Sequence, residues 1–268
     1  MWPAIHNAAY RGKMDDLRAE LDKGVSPDLA YSEEWSHSGQ TGAITATPLH
    51  RLLNRGFPAR SCLNLLLAAG ANPNLEQLGD FGHVEPGVSR TPLQLAVESD
   101  IAYFVARLLE AGADVNAWGS QNLTALHTAA QKGAVDCAPL LIDAGANVNA
   151  LSSNGSTPLD TAFAVADECM DSARTVTSGK YKGVYEMAAR RCHRVALVLL
   201  RADARTAVYP TADISDPYVR RVLGDGGFKR YERAHLTALT ATFAPKFPAL
   251  PTDAVRVVVA FCFHVGYY

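Results

Sequence analysis

Apolar residues in this chain come in short dense blocks. Leu65-Leu66-Leu67, Leu108-Leu109, Leu140-Leu141-Ile142 and Val195 to Leu200 stand out, and Leu17 with Leu21 makes an i, i+4 pair. Behind the first three blocks a glycine follows within a few residues, at Gly70, Gly112 and Gly145. A glycine in that place ends a helix by taking the left-handed conformation. Other helix starts are marked by Thr-Pro, at Thr47-Pro48, Thr91-Pro92 and Thr157-Pro158. Threonine caps the free N–H groups there, and proline fits the first helical position. The pattern therefore predicts pairs of short helices joined by polar turns. Past residue 204, Tyr218, Val222, Leu223, Leu236, Leu239 and Phe243 recur at helical spacing. They predict a helix from about Pro217 to Thr242, weakened or split at Gly224–Gly227. A second helix is expected to start after Leu250-Pro251-Thr252-Asp253 and run to about His264. Its apolar run, Val255 to Val265, is shorter than the roughly 20 residues a bilayer requires.

Two markers keep time along the chain. Thr47-Pro48-Leu49-His50 is echoed by Thr91-Pro92-Leu93-Gln94, Thr124-Ala125-Leu126-His127 and Thr157-Pro158-Leu159-Asp160. From Thr91 to Thr124, and again from Thr124 to Thr157, the chain advances 33 residues. Ala-Gly-Ala-Asp-Val-Asn at 111–116 returns as Ala-Gly-Ala-Asn-Val-Asn at 144–149 in the same register. This resembles the ankyrin repeat, with its period of about 33 residues and its T-P-L-H-x-A signature. The resemblance implies an all-α ankyrin-repeat solenoid with finger-loop turns, and the segment after it reads as a C-terminal helical cap. The array is expected over 1–204, with repeats at about 3–28, 47–74, 91–116, 124–149 and 157–204, and the extension over 205–268. Leu108, Leu109, Leu140 and Leu141 are expected to be buried between repeats.

Departures from the period locate insertions. The first finger, 29–46, is longer than the regular one by 11 residues and carries Tyr31, Trp35 and His37 among polar residues. It reads as an ordered lid or a contact loop. The second finger is longer by 9 and is rich in glycine and proline. The last repeat holds 25 extra residues, including Arg174, Lys180, Tyr181, Lys182, Tyr185, Arg190 and Arg191. Longer inner and outer helices with a break at Ser178-Gly179 are expected there, their basic residues on solvated faces.

Candidate chemistry changes this picture little. His50 and His127 occupy a slot that holds Gln94 and Asp160 in other repeats, which fits structural hydrogen bonding and not a shared catalytic role. Cys169, Cys192 and His193 do not have the spacing of a zinc site, and no phosphate-binding loop or nucleophile motif occurs. No enzyme activity, metal or cofactor is therefore expected. The net charge of −2 gives no overall attraction to nucleic acid or membrane. Five cysteines without a C-x-x-C, and a start lacking signal-peptide character, point to an intracellular protein, cytoplasmic or nuclear.

The expected partner is another protein, with no nucleic acid, membrane or small-molecule substrate. The resemblance places contact positions at finger tips and at the ends of inner helices. Here these are Asn54, Arg55, Arg90, Glu98, Ser99, Trp118, Ser120, Gln121, Leu123, Gln131 and Lys132, with Trp118 as the main anchor. A second reading joins the array to a ubiquitin-ligase adaptor, because His235–Thr240 followed by Phe247-Pro248-Ala249-Leu250-Pro251 is similar to a SOCS-box or F-box outline.

Overall fold

The computed structural model describes residues 2–37, 40–54, 59–79, 88–176, 179–208, 217–243 and 245. Arg55, Ser178 and the tail from 246 onward, with the second helix of the adaptor outline, lie outside the described residues.

Helices alternate between an inner and an outer layer. The inner helices are α1 (Ala4–Arg11), α3 (Pro48–Leu53), α5 (Pro92–Glu98), α7 (Ala125–Lys132) and α9 (Pro158–Thr175). Each packs on the next inner helix. The outer helices are α2 (Met14–Asp22), α4 (Arg60–Ala68), α6 (Ala102–Glu110), α8 (Cys137–Asp143) and α10 (Gly179–Arg201). The two layers close on one continuous core that runs from Ile5 and Leu17 through Leu66, Leu108 and Leu141 to Leu199 and Leu200. One expectation needs correcting. Leu108 and Leu141 are buried, but Leu109 and Leu140 are only partly so. Adjacent residues on a helix point about 100° apart, so one of each pair turns away from the neighbouring repeat.

The repeats are stitched at two levels. Thr91, Thr124 and Thr157 cap their inner helices by accepting from Gln94, His127 and Asp160 backbone N–H groups. The residue in the fourth slot then reaches the next finger. His6 Nε2 meets Ala46 O at 3.0 Å, His50 Nε2 meets Leu75 O at 2.8 Å, Gln94 Nε2 donates to Leu123 O at 2.6 Å, and His127 Nε2 meets Ser156 O at 3.1 Å. Asp160 can only accept, and it takes Ala207 N–H at 2.8 Å. At the opposite edge Asp28, Asn74, Asn116 and Asn149 accept from the backbone N–H groups of Asn72, Asp114, Asn147 and Arg205.

The helical reading holds, with an addition. The two long fingers pair into an antiparallel sheet of β1 (Tyr31–His37), β2 (Gln40–Ala46), β3 (Gln77–Gly79) and β4 (Val88–Arg90), in that order. Tyr31 lies opposite Ala46, and Ile44 opposite Gly79.

The extra residues of the last repeat lengthen its helices to 18 residues in α9 and 23 in α10. Asp203 takes the left-handed backbone that glycine supplies at 145. Beyond it α11 (Pro217–Gly224) and α12 (Phe228–Phe243) are separated at the Gly-rich turn, so the expected helix is split. Val222 and Phe228 join the same core as Leu199 and Leu200 and cover the last repeat. Among the described residues no helix is long and apolar enough to cross a membrane.

Candidate functional site

Finger three is pinned before it presents anything. Gly119 presses so closely on α5 and finger two that a Cβ there would lie 2.5 Å from Gln94 Oε1 and 2.8 Å from Ser89 O. Ser120 Oγ accepts from Ser89 N–H of β4. A single 3-10 turn over Ser120–Asn122 follows, in which Gln121 and Asn122 both take positive φ, at 59° and 54°. Trp118 stands beside this turn and is 61% exposed, so its ring is not used up on the long finger before it.

Between the third and fourth fingers and the inner helices α7 and α9 lies a groove of about 270 Å³. It is lined by Gln121, Leu123, His127, Gln131, Ser152, Ser153, Asn154 and Thr161. The fingers are joined across it by Ser153 N–H donating to Gln121 O at 2.8 Å. Within the fourth finger, Ser152 Oγ donates to Ser156 O at 2.9 Å, and Asn154 Oδ1 accepts from Ser156 N–H at 3.2 Å. Thr161 Oγ1 donates to its own helix at Thr157 O. What remains is specific: the side-chain amides of Gln121 and Gln131 and the Nδ2 of Asn154 have no partner among the described residues. Amides both donate and accept, so the groove offers the chemistry that pairs with peptide backbone. His127 is tied up, its Nδ1 facing Thr124 and its Nε2 facing Ser156 O. Burial lowers its pKa and keeps the ring neutral, which suits a structural strut.

The expected contact residues fall at several places along the fingers and inner helices. Gln121, Leu123 and Gln131 meet in the groove. Trp118 stands at the fingertip, and Lys132 is exposed at the opposite end of α7. Arg90 is paired with Glu98 at 3.3 Å, each about a quarter exposed. Asn54 Nδ2 donates to Gln77 Oε1 of β3 at 3.1 Å, and the Ser120 hydroxyl is engaged by Ser89. Ser99 is half-buried at the end of α5. Ser152, Ser153, Asn154 and Thr161 belong to the groove but were absent from the expected set. A signal was present for two of them, since adding the 33-residue period to the expected Ser120 and Gln121 gives Ser153 and Asn154.

The Cys137 and Cys192 thiols are not poised for chemistry. Burial pushes the Cys192 thiol up to about 11, with Cys169 adding in the same direction, and it raises Cys137 well above the ordinary range. The basic insert is divided in use. Arg174 pairs with Asp171 at 2.8 Å within α9, whereas Arg191 bonds Gly133 O at 3.0 Å and pairs with Asp100, tying α10 back to two earlier repeats. Lys182, Arg190 and Arg194 are exposed.

Compared with known families, the chain matches the family model described as ankyrin repeats (3 copies), over residues 49–152 and again over 117–175.

Proposed function

Because this chain is an ankyrin repeat protein, and ankyrin repeats generally serve to bind other proteins, we propose that it is a non-enzymatic recognition module. Its binding surface is the concave face together with the fingers, and it takes an extended segment of a partner protein. The observation that carries this reading is the groove of repeats four and five, lined by Leu123 and by the amides of Gln121 and Gln131 and the Nδ2 of Asn154, which have no partner among the described residues. An extended peptide has backbone N–H and C=O groups that need such partners once they leave water. Leu123 adds apolar contact, and Trp118 on the rim supplies the large aromatic that commonly dominates an interface. No bond is made or broken, and binding follows from several modest contacts.

Trp118→Ala tests this. The ring is mostly exposed, so the melting temperature should stay close to that of the parent. Affinity for a protein partner captured from the source cells should fall by about 2 kcal/mol or more, the cost of losing a hot-spot aromatic. Full affinity in the variant removes Trp118 from the surface.

A further inference from the structure

The same inter-repeat groove is built differently at the other end of the array. Tyr10 follows His6 by four residues as Gln131 follows His127, and Arg51 follows His50 by one as Thr161 follows Asp160. Tyr10 and Arg51 therefore hold, between repeats one and two, the register positions that Gln131 and Thr161 hold in the groove of repeats four and five. There the position is filled by a cation in contact with two rings. The Arg51 guanidinium carbon lies 4.4 Å from the Trp2 ring centroid and 4.4 Å from that of Tyr10. Trp2 is itself held by Tyr31 at the start of β1, at 5.2 Å, and by His6, at 5.3 Å.

Among the described residues the guanidinium makes no hydrogen bond and no ion pair, and its Nε is buried without an acceptor. Burial lowers its pKa, while Tyr10 and Glu33 act in the opposite direction. Arginine stays charged under such pressure, because its free pKa is so high. Trp2 and Tyr10 each set a ring 4.4 Å from the guanidinium carbon, which leaves the N–H edge of the group to pair with a ligand. A planar acceptor with two oxygens fits that edge, as in fork-to-fork pairing with a carboxylate.

We propose that Arg51, held against the rings of Trp2 and Tyr10, is a subsite that reads an acidic side chain of the bound partner segment. This rests on the concave face being the peptide surface. It adds a chemical demand on the partner: a carboxylate at one end of a segment whose other end lies among the amides of Gln121, Gln131 and Asn154. The two places are three inner-helix spacings apart, about 27 Å at about 9 Å each. Extended chain covers that distance in about eight residues.

The experiment follows the Arg51 Nε–H resonance in the isotope-labelled full chain, identified by its loss in Arg51→Lys. The probes are a capped hexapeptide of alternating aspartate and glutamate, the matching hexapeptide of asparagine and glutamine, and inorganic phosphate. The acidic peptide should move the resonance saturably, and the amide peptide should not. Arg51→Lys keeps the charge and should keep the melting temperature. It should bind the acidic peptide about tenfold more weakly, read on the Trp2 indole N–H, because a point charge replaces the two-pronged edge. No shift, an equal shift with the amide peptide, tighter binding of phosphate, or unchanged affinity in Arg51→Lys overturns the proposal. The probe is independent of the natural partner, so failure here is separable from failure of the Trp118 test.

Discussion

His50 shows how one residue can join two repeats and set a pH limit on the fold. Its Nδ1 faces the Thr47 N–H at 3.1 Å and so accepts, which leaves the proton on Nε2 for Leu75 O. Protonating Nδ1 would place two donors face to face in a buried site. Burial lowers the pKa from 6.5 to about 4, against the Leu75 carbonyl, which raises it, and with a small further lowering from His6. As pH falls from 6.5 towards 4, the unfolded chain takes up a proton that the folded chain refuses. Stability is therefore fully present above 6.5, is lost across that window, and levels off below it. The loss is about 3 kcal/mol for His50 alone. His6 and His127 shift in the same direction and add to the slope. Repeat three shows that glutamine fits this slot, since Gln94 makes both bonds without titrating. His50→Gln should therefore melt near the parent at pH 7 and lose less on acidification. Melting temperatures of both proteins between pH 7 and 4 check this, and equal drops would show that His50 does not carry the effect.

Among the elements, α10 does more than complete the last repeat. Arg191 crosses to Gly133 O and to Asp100, at the ends of the inner helices α7 and α5. That crossing is possible because residue 133 has no side chain. A Cβ at Gly133 would lie 2.7 Å from Arg191 Cβ and 3.1 Å from Cys192 N, on a backbone with φ of 62°. Gly145 also has positive φ, 88°, but open space around it. Alanine at 145 should cost only the backbone strain, about 1 kcal/mol, and alanine at 133 should cost up to about 3 kcal/mol as α10 is pushed off. Urea unfolding of the two variants separates strain from collision, and equal losses would mean that the α10 contact contributes nothing. The helix pairs were legible because capping threonines, glycine stops and the 33-residue period all agreed. The sheet was not. In β3 the buried side chain is that of Gln77, 1% exposed, beside the buried Gly79, and the outward one is Leu78, 52% exposed, which inverts the usual alternation. Gln77 is satisfied inside by Asn54, a partner that no local pattern announces. The groove was half legible. Gln121, Leu123 and Gln131 follow from the repeat register. Ser120 and Asn54 hold the same kinds of position, yet the inserted finger two diverts their polar groups to Ser89 and Gln77.

At the scale of the whole molecule, the two layers differ in what they expose. The fingers, the sheet and the inner helices expose Trp118 and, without partners among the described residues, the side-chain amides of Gln121 and Gln131 and the Nδ2 of Asn154. The outer helices turn Leu66, Leu108 and Leu141 inward and leave short-range ion pairs outside, such as Arg107 with Glu110 on α6. Exposed pairs of that kind contribute little to binding or stability. Photo-crosslinking compares the two faces most directly. A photoreactive phenylalanine analogue is placed at Gln131 in the groove, at Trp118 on the fingertip, and at Glu110 on the outer layer, each in the full chain. The account predicts crosslinks to the same protein partner from positions 131 and 118 and none from position 110. Crosslinking to that partner from Glu110, with positions 131 and 118 silent, would contradict recognition through the concave face.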